Sequence, residues 1–196
     1  MLNSRFARSA FAILVLGIAA CARGERASDT ALPAADSAAG MAAMPGHDMN
    51  RPPARDAEQE FLRMMADHHE GLVRMATAAM SEASQPTTQG DAHNLHTKQA
   101  DEQKKMIAMM QAQYGETVTP VVLPSNKAMI DSLAAKSGTE YDRTFYRNVI
   151  AHHREGIRMT DEFLPRLTKA DVKQMAERMK ADQQKEIAEF ERKAGA

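Results

Sequence analysis

Two pairs of adjacent histidines, His68-His69 and His152-His153, lie 84 positions apart in a 196-residue chain. The first histidine of each pair is followed seven positions later by a methionine, Met75 and Met159. The surrounding stretch repeats without a gap, with Phe61/Phe145, Arg63/Arg147 and Arg74/Arg158 matched at the same spacing. On a helix that turns about 100° per residue, Phe61, Met64, Met65, His68, Leu72 and Met75 share one face, with His69 at its edge. The second copy aligns Phe145, Val149, His152, Gly156, Met159 and Phe163, again with the second histidine, His153, at the edge. Each copy thus sets an imidazole on an apolar stripe with a thioether two turns further on. Met64 adds a thioether one turn before His68, where the second copy has Asn148. Imidazole and thioether together suit a soft ion such as Cu(I), whereas methionine is a poor zinc ligand. The structural alternative is a pair of core histidines satisfied by neighbouring hydrogen bonds. An unpartnered buried polar group costs about 1–3 kcal/mol, and the repeat would incur that cost twice. The methionines, 15 in all, are equally compatible with core gap-filling.

The elements that must position these residues are helical. Asp56, with Gln59 three residues on, is a fair N-cap for a helix running to about Ser84. Pro86 and the Thr-Thr-Gln-Gly stretch mark its stop. Thr88 and Asp91 are expected to cap a second helix that Gly115 closes near Tyr114. Its inner face reads Ala92, Leu95, Gln99, Gln103, Met106 and Met110. Thr117 to Pro124 reads as an extended connector, and Ser125 to Ala135 as a short helix with Ala128, Met129 and Leu133 inward and Gly138 as its stop. Thr139 with Asp142 caps a helix to about Leu164. Thr168 with Asp171 opens the last one, whose stripe (Val172, Met175, Met179, Gln183, Glu186, Phe190) is read at an offset of 80 from the second helix. The expected fold is all-α: a four-helix bundle of two repeated hairpins with pseudo-two-fold symmetry, in which each hairpin covers the other's apolar face. The symmetry brings His68 and His152 together, or sets them at equivalent sites near opposite ends of the core. The domain spans 56–194, with repeats at 56–114 and 139–194 and a connector at 115–138.

Residues 1–20 read as a lipoprotein signal peptide. Arg5 and Arg8 precede an apolar run too short for a membrane span, and the run ends Ile18-Ala-Ala-Cys21, similar to a bacterial lipobox. Cys21, the single cysteine, is the expected lipidation site. A lone cysteine allows no internal disulfide and no zinc–thiolate cage. Residues 21–55 have no apolar period and read as a disordered tether, with a reach of roughly 30–35 Å. Met41, Met44, His47 and Met49 form a possible second metal-binding cluster in that tether, where no core needs filling; drift in an Ala/Met-biased linker is the alternative.

Net charge is −1 with dispersed Lys and Arg, a pattern that does not point to nucleic acid. A ferritin-type di-iron centre needs a glutamate three residues before its histidine, but Met65 and Val149 hold those places. His93 and His96 form a helical i, i+3 pair, with His93 facing outward. No phosphate loop, nucleophile elbow, zincin motif or Cys-x-x-Cys-His is present, so an enzyme is not expected.

The pattern Phe-x-x-x-Met/Val-x-x-His-His, followed by a second helix with Gln-x-x-x-Ile, resembles the bacterial family catalogued as domain of unknown function 305, in tandem over about 56–192. The resemblance implies a secreted or membrane-anchored helical bundle, in some members a periplasmic copper-binding protein. It implies Met64, Met65, His68, His69, Met75, His152, His153 and Met159 as ligands. Asn148 and Val149 depart from the first copy and weaken the second half of that set. The expectation is an envelope lipoprotein, facing the periplasm from the outer membrane, that sequesters or relays copper, Cu(I) in particular, without turnover. The competing readings are a structural or interaction module with core histidines, and a carrier of b-type haem.

Overall fold

The computed structural model describes residues 51–195. The expected signal peptide, Cys21 and the Met41, Met44, His47 and Met49 cluster lie outside the described residues. The described chain is all-helical, with no strand: α1 (Ala57–Glu82), α2 (Pro86–Tyr114), α3 (Pro124–Ala134), α4 (Gly138–Phe163) and α5 (Ala170–Ala194). None of these helices is long and apolar enough to cross a membrane.

α1 pairs with α2 and α4 with α5; α1 also meets α4, and α3 lies against both α1 and α4. The α1–α4 crossing is antiparallel. Phe61 near the start of α1 meets Phe163 at the end of α4, with ring centroids 5.7 Å apart. Carboxylates near the start of α1 fasten the turn between α4 and α5 to it. Glu58 accepts from the backbone N–H of Lys169 at 2.9 Å, at the amide-rich start of α5, where a negative group is favoured. Glu60 pairs with Arg166 at 2.9 Å. Residues 51–55, expected in the tether, are placed against the helices. Arg51 holds the fully buried Asp67 through two bonds of 2.6 and 2.9 Å.

Asp56 caps α1 as expected, its carboxylate accepting from Gln59 N–H at 2.8 Å, and Gly115 closes α2 at φ 67. Other helix ends differ. α2 starts at Pro86 in its first turn, because proline fixes a helical φ and has no N–H to leave unpaired there. Thr88 therefore lies inside the helix. Asp142 does not cap α4 but reaches across to Ser84, accepting from its backbone N–H at 2.8 Å. α5 starts at Ala170 with no side-chain cap, so Thr168 lies outside it. Gly138 opens α4, at φ 57, rather than ending α3. In α3, Ala128 is exposed; Asn126 and Leu133 are the buried residues.

The offset of 80 between α2 and α5 is also corrected. Gln99 pairs structurally with Gln183, and Glu102 with Glu186, each 84 residues apart like the histidines. The turn between α1 and α2 is three residues, that between α4 and α5 six. The similar Thr-x-x-Asp stretches thus fall at different places relative to their helices, and they mislead when used to set register.

The buried apolar residues form two clusters. One contains Phe61, Met64, Met65, Met106, Met110, Met159, Phe163, Met175 and Met179 among its members. The other contains Leu72, Met75, Leu95, Tyr141, Phe145, Tyr146, Val149 and Phe190. Burying each large side chain contributes roughly 1.5–3 kcal/mol. Between the two clusters runs a polar layer.

Candidate metal centre

The layer is built from the middles of α1, α2, α4 and α5. The helical period that puts Phe61 inward also puts His68 inward, and α4 presents His152 in the same way. Their rings stack with centroids 3.7 Å apart and planes 22° from parallel. His68 is 0% and His152 1% exposed. Burial first, and then neighbouring imidazoles, push both well below the ordinary histidine value, so both rings are neutral near pH 7. Neither ring nitrogen of His68, nor Nε2 of His152, has a hydrogen-bond partner among the described residues. The side-chain amides of Gln99 and Gln183, 1% and 2% exposed, are likewise unpartnered among them. The stacking leaves no room for a haem between the two imidazoles.

The second histidine of each pair points to a carboxylate on the neighbouring helix. His69 Nδ1 lies 2.8 Å from the Met65 carbonyl and its Nε2 3.1 Å from Glu102. Both partners are acceptors, and the ring satisfies both only when both nitrogens carry hydrogen. His153 Nε2 is 2.8 Å from Glu186 Oε2, but the ring is turned off the hydrogen-bonding direction. We therefore read that contact as an electrostatic pair. Burial raises the Glu186 carboxyl, but His153 and Lys98 outweigh it and hold it below the usual value. Lys98 donates to Glu186 at 2.7 Å.

Asn126, on α3, is the one polar group of the connector that reaches the layer. Its amide nitrogen donates to the His68 carbonyl at 3.2 Å and its amide oxygen faces His152 Nδ1 at 3.1 Å. Two glycines make room. A Cβ at Gly71 would fall 2.3 Å from Asn126 Cγ, and one at Gly156 would fall 2.8 Å from Gln183 Oε1 and 3.1 Å from His68 Cε1.

The eight ligands implied by the resemblance are thus distributed rather than converged. His68 and His152 are in contact. Met64, Met65 and Met159 lie in the methionine-rich cluster on one side of the layer. Met75 lies in the cluster on the other side. His69 and His153, expected at the edge of the stripe, are fully buried beside Glu102 and Glu186. Among the described residues, no group of three His, Cys, Asp or Glu side chains is placed to hold a metal ion. The donors that fit a soft cation are the orphaned nitrogens of the neutral His68–His152 pair, with the methionine-rich cluster on one side of their layer.

Sequence reasoning missed Glu102 and Asn126 altogether, and read Gln99, Gln183 and Glu186 only as part of an inner stripe. Extending the offset of 84 through the second and last helices would have paired Gln99 with Gln183 and Glu102 with Glu186. Asn126 has no repeat counterpart, and no local signal marks it.

The family model described as Domain of unknown function (DUF305) matches residues 20–110 and 58–194. The chain belongs to this family of helical proteins. No curated protein matches it. Among solved structures, CopM in its Cu(II)-bound form is similar at 24% identity and TM-score 0.62, covering 70% of this chain and 95% of that one. A DUF305 fragment from Deinococcus radiodurans is similar at 24% identity and TM-score 0.64, covering 74% and 99%. A DUF305 protein from Streptomyces coelicolor gives 22% and 0.62, covering 69% and 88%. CopM has also been solved in Cu(I)-bound, Ag-bound and apo forms. At these identities the likeness establishes a shared fold.

Proposed function

We propose that this protein binds a soft metal cation, copper as Cu(I) in the first place, and holds or relays it outside the cytoplasm without catalysing a reaction. The observation that carries the reading is the buried, neutral His68–His152 pair with its unpartnered nitrogens, set against a cluster holding seven methionines. Leaving such groups buried and unpartnered costs about 1–3 kcal/mol each. A ligand that uses them explains why they are there. The similarity to CopM, solved with Cu(I), Cu(II) and Ag, supports the same ion class. His68 and His152 are the proposed nitrogen donors, with Met64 and Met65, one turn before His68, the nearest thioethers in sequence; Met75 and Met159 each lie two turns beyond their histidine. His69 and His153 would orient the layer through Glu102 and Glu186. The two hairpins would form the four-helix bundle around this layer. In the full protein, lipidation at Cys21 would tether the bundle to the outer membrane, facing the periplasm, with Met41, Met44, His47 and Met49 as an accessory site. No nucleic-acid partner is proposed.

The test is anaerobic Cu(I) titration of the full-length chain against a competing chelator. The wild type is compared with His68→Gln/His152→Gln and with a variant in which Met41, Met44, His47 and Met49 are all replaced. We expect the histidine variant to lose at least about tenfold in affinity, about 1.4 kcal/mol, and the tether variant to keep the tight site. Unchanged affinity in the histidine variant would remove the bundle from the reading.

A second reading is favoured by the tight ring stack and by the absence of a three-residue ligand group among the described residues. In it the layer is structural, a polar stratum that fixes helix register as buried polar residues do in coiled coils. It predicts no tight Cu(I) binding by the wild type or by either variant.

A further inference from the structure

We infer that Asn126 is a positioning residue that fixes His152 in a single tautomer and thereby makes Nε2 of His152, not a nitrogen of His68, the anchoring donor of the buried pair. The inference rests on the soft-cation reading for its ligand, but the tautomer itself is a property of the protein alone.

The orientation of the Asn126 amide is fixed by chemistry. The His68 carbonyl can only accept, so the group 3.2 Å from it must be the Asn126 NH2. The amide oxygen is then the atom facing His152 Nδ1 at 3.1 Å, and that oxygen can only accept. Nδ1 of His152 therefore carries the hydrogen. A neutral imidazole with hydrogen on Nδ1 has its lone pair on Nε2, the atom with no partner among the described residues. Asn126 cannot swing away. It is 2% exposed, and its Cβ and Cγ sit 2.4 and 2.3 Å from where a Cβ would be at Gly71, so the amide occupies a notch that α1 opens only there.

The repeat makes the consequence asymmetric. α3 lies between the two repeats and occurs once, so His68 has no equivalent of Asn126 on its ring. By bond geometry both its nitrogens are unpartnered among the described residues, and what acts on its ring is the His152 backbone rather than a side-chain amide. One imidazole of the pair is preset by a side-chain hydrogen bond and the other is held less firmly. Hydrogen bonds of this kind to the non-ligating nitrogen orient histidine ligands, and losing them typically weakens metal binding 10–100-fold.

The experiment is ring-nitrogen NMR of the metal-free, full-length protein at neutral pH, with 15N-labelled histidine, on wild type, Asn126→Leu and Asn126→Asp. The expected wild-type result is a fixed Nδ1–H tautomer at His152 and tautomer averaging at His68. Asn126→Asp keeps an acceptor at Nδ1 and should keep the His152 signature; Asn126→Leu should lose it. Cu(I) competition on the same samples should weaken about tenfold for Asn126→Leu and less for Asn126→Asp. An Nε2–H tautomer at His152 in the wild type overturns the inference without recourse to any variant, as does an unchanged spectrum in a folded Asn126→Leu. If the wild type has the expected tautomer but binds no Cu(I), the soft-cation reading and the donor role fall together, while the tautomer assignment stands.

Discussion

The two apolar clusters flank the same polar layer and are built from different materials. The cluster that holds the start of α1 and the end of α4 has seven methionines among its buried members. The opposite cluster has one, Met75, and fills its volume with Tyr141, Phe145, Tyr146, Phe190 and four alanines. The sequence repeat is symmetric in its histidines but not in what surrounds them. Aromatic rings and small residues pack with few rotamer choices, whereas unbranched thioethers adapt their shape. One half of the core is therefore filled by side chains with few alternative shapes, and the other by side chains that adapt theirs on the opposite side of the histidine layer. A symmetric donor set would have needed thioethers in both halves, and Val149 stands where Met65 has its counterpart.

The sharpest way to break this comparison is truncation. Phe145→Ala removes a fully buried ring from the aromatic half and should cost about 3–5 kcal/mol by urea unfolding. A loss below about 1 kcal/mol would mean that this half is not the rigid one.

Acid acts on the layer between the halves. His68 and His152 titrate well below 6.5 when folded, so below that pH the unfolded chain binds more protons than the folded one. Stability should therefore be fully present above about pH 6.5 and fall as pH drops, by up to about 1.4 kcal/mol per pH unit for each histidine. Urea midpoints between pH 7 and 5 read this directly. His152→Gln should flatten the slope by about one proton, and a wild-type slope of zero would contradict the burial of neutral rings.

The smallest effect should come from volume-conserving changes in the methionine half. Met64→Leu is expected to cost less than about 1.5 kcal/mol in stability and yet weaken Cu(I) binding in the chelator assay. Met75→Leu, two turns from His68 and in the other half, should leave the affinity where it was. Equal behaviour of the two variants would erase the functional distinction between the clusters.

Much of the fold was legible from period and punctuation. The strict spacing of Phe61, His68 and Met75, the Asp56 cap and the Gly115 stop placed α1 and α2 closely. The inward face of His68 followed from the same period; its meeting with His152 was one of the two arrangements the repeat symmetry allowed, the other setting the rings near opposite ends of the core. What escaped was information that a single-helix pattern does not carry. Glu102 lies at the rim of α2 and becomes part of the layer only because His69 reaches it from α1. Asn126 sits in a short connector helix whose register no repeat constrains, and its role depends on Gly71, 55 positions earlier, having no side chain. The cap signals at Thr88 and Thr168 misled because unequal turns shift where similar stretches fall along their helices.

The depth of the His68–His152 pair also sets a clock. Both rings are at most 1% exposed, so an ion held there, as proposed, would not be exchanged until helices part. A groove of about 320 Å³ lies between α2 and α5, lined by Glu102, Asp182, Met175 and Met179 among others. Exchange should then proceed at the rate at which the protein opens, and saturate as chelator concentration rises. On the proposed reading, such a protein would retain its ion for as long as its own fluctuations allow, which would suit a reservoir better than a rapid courier.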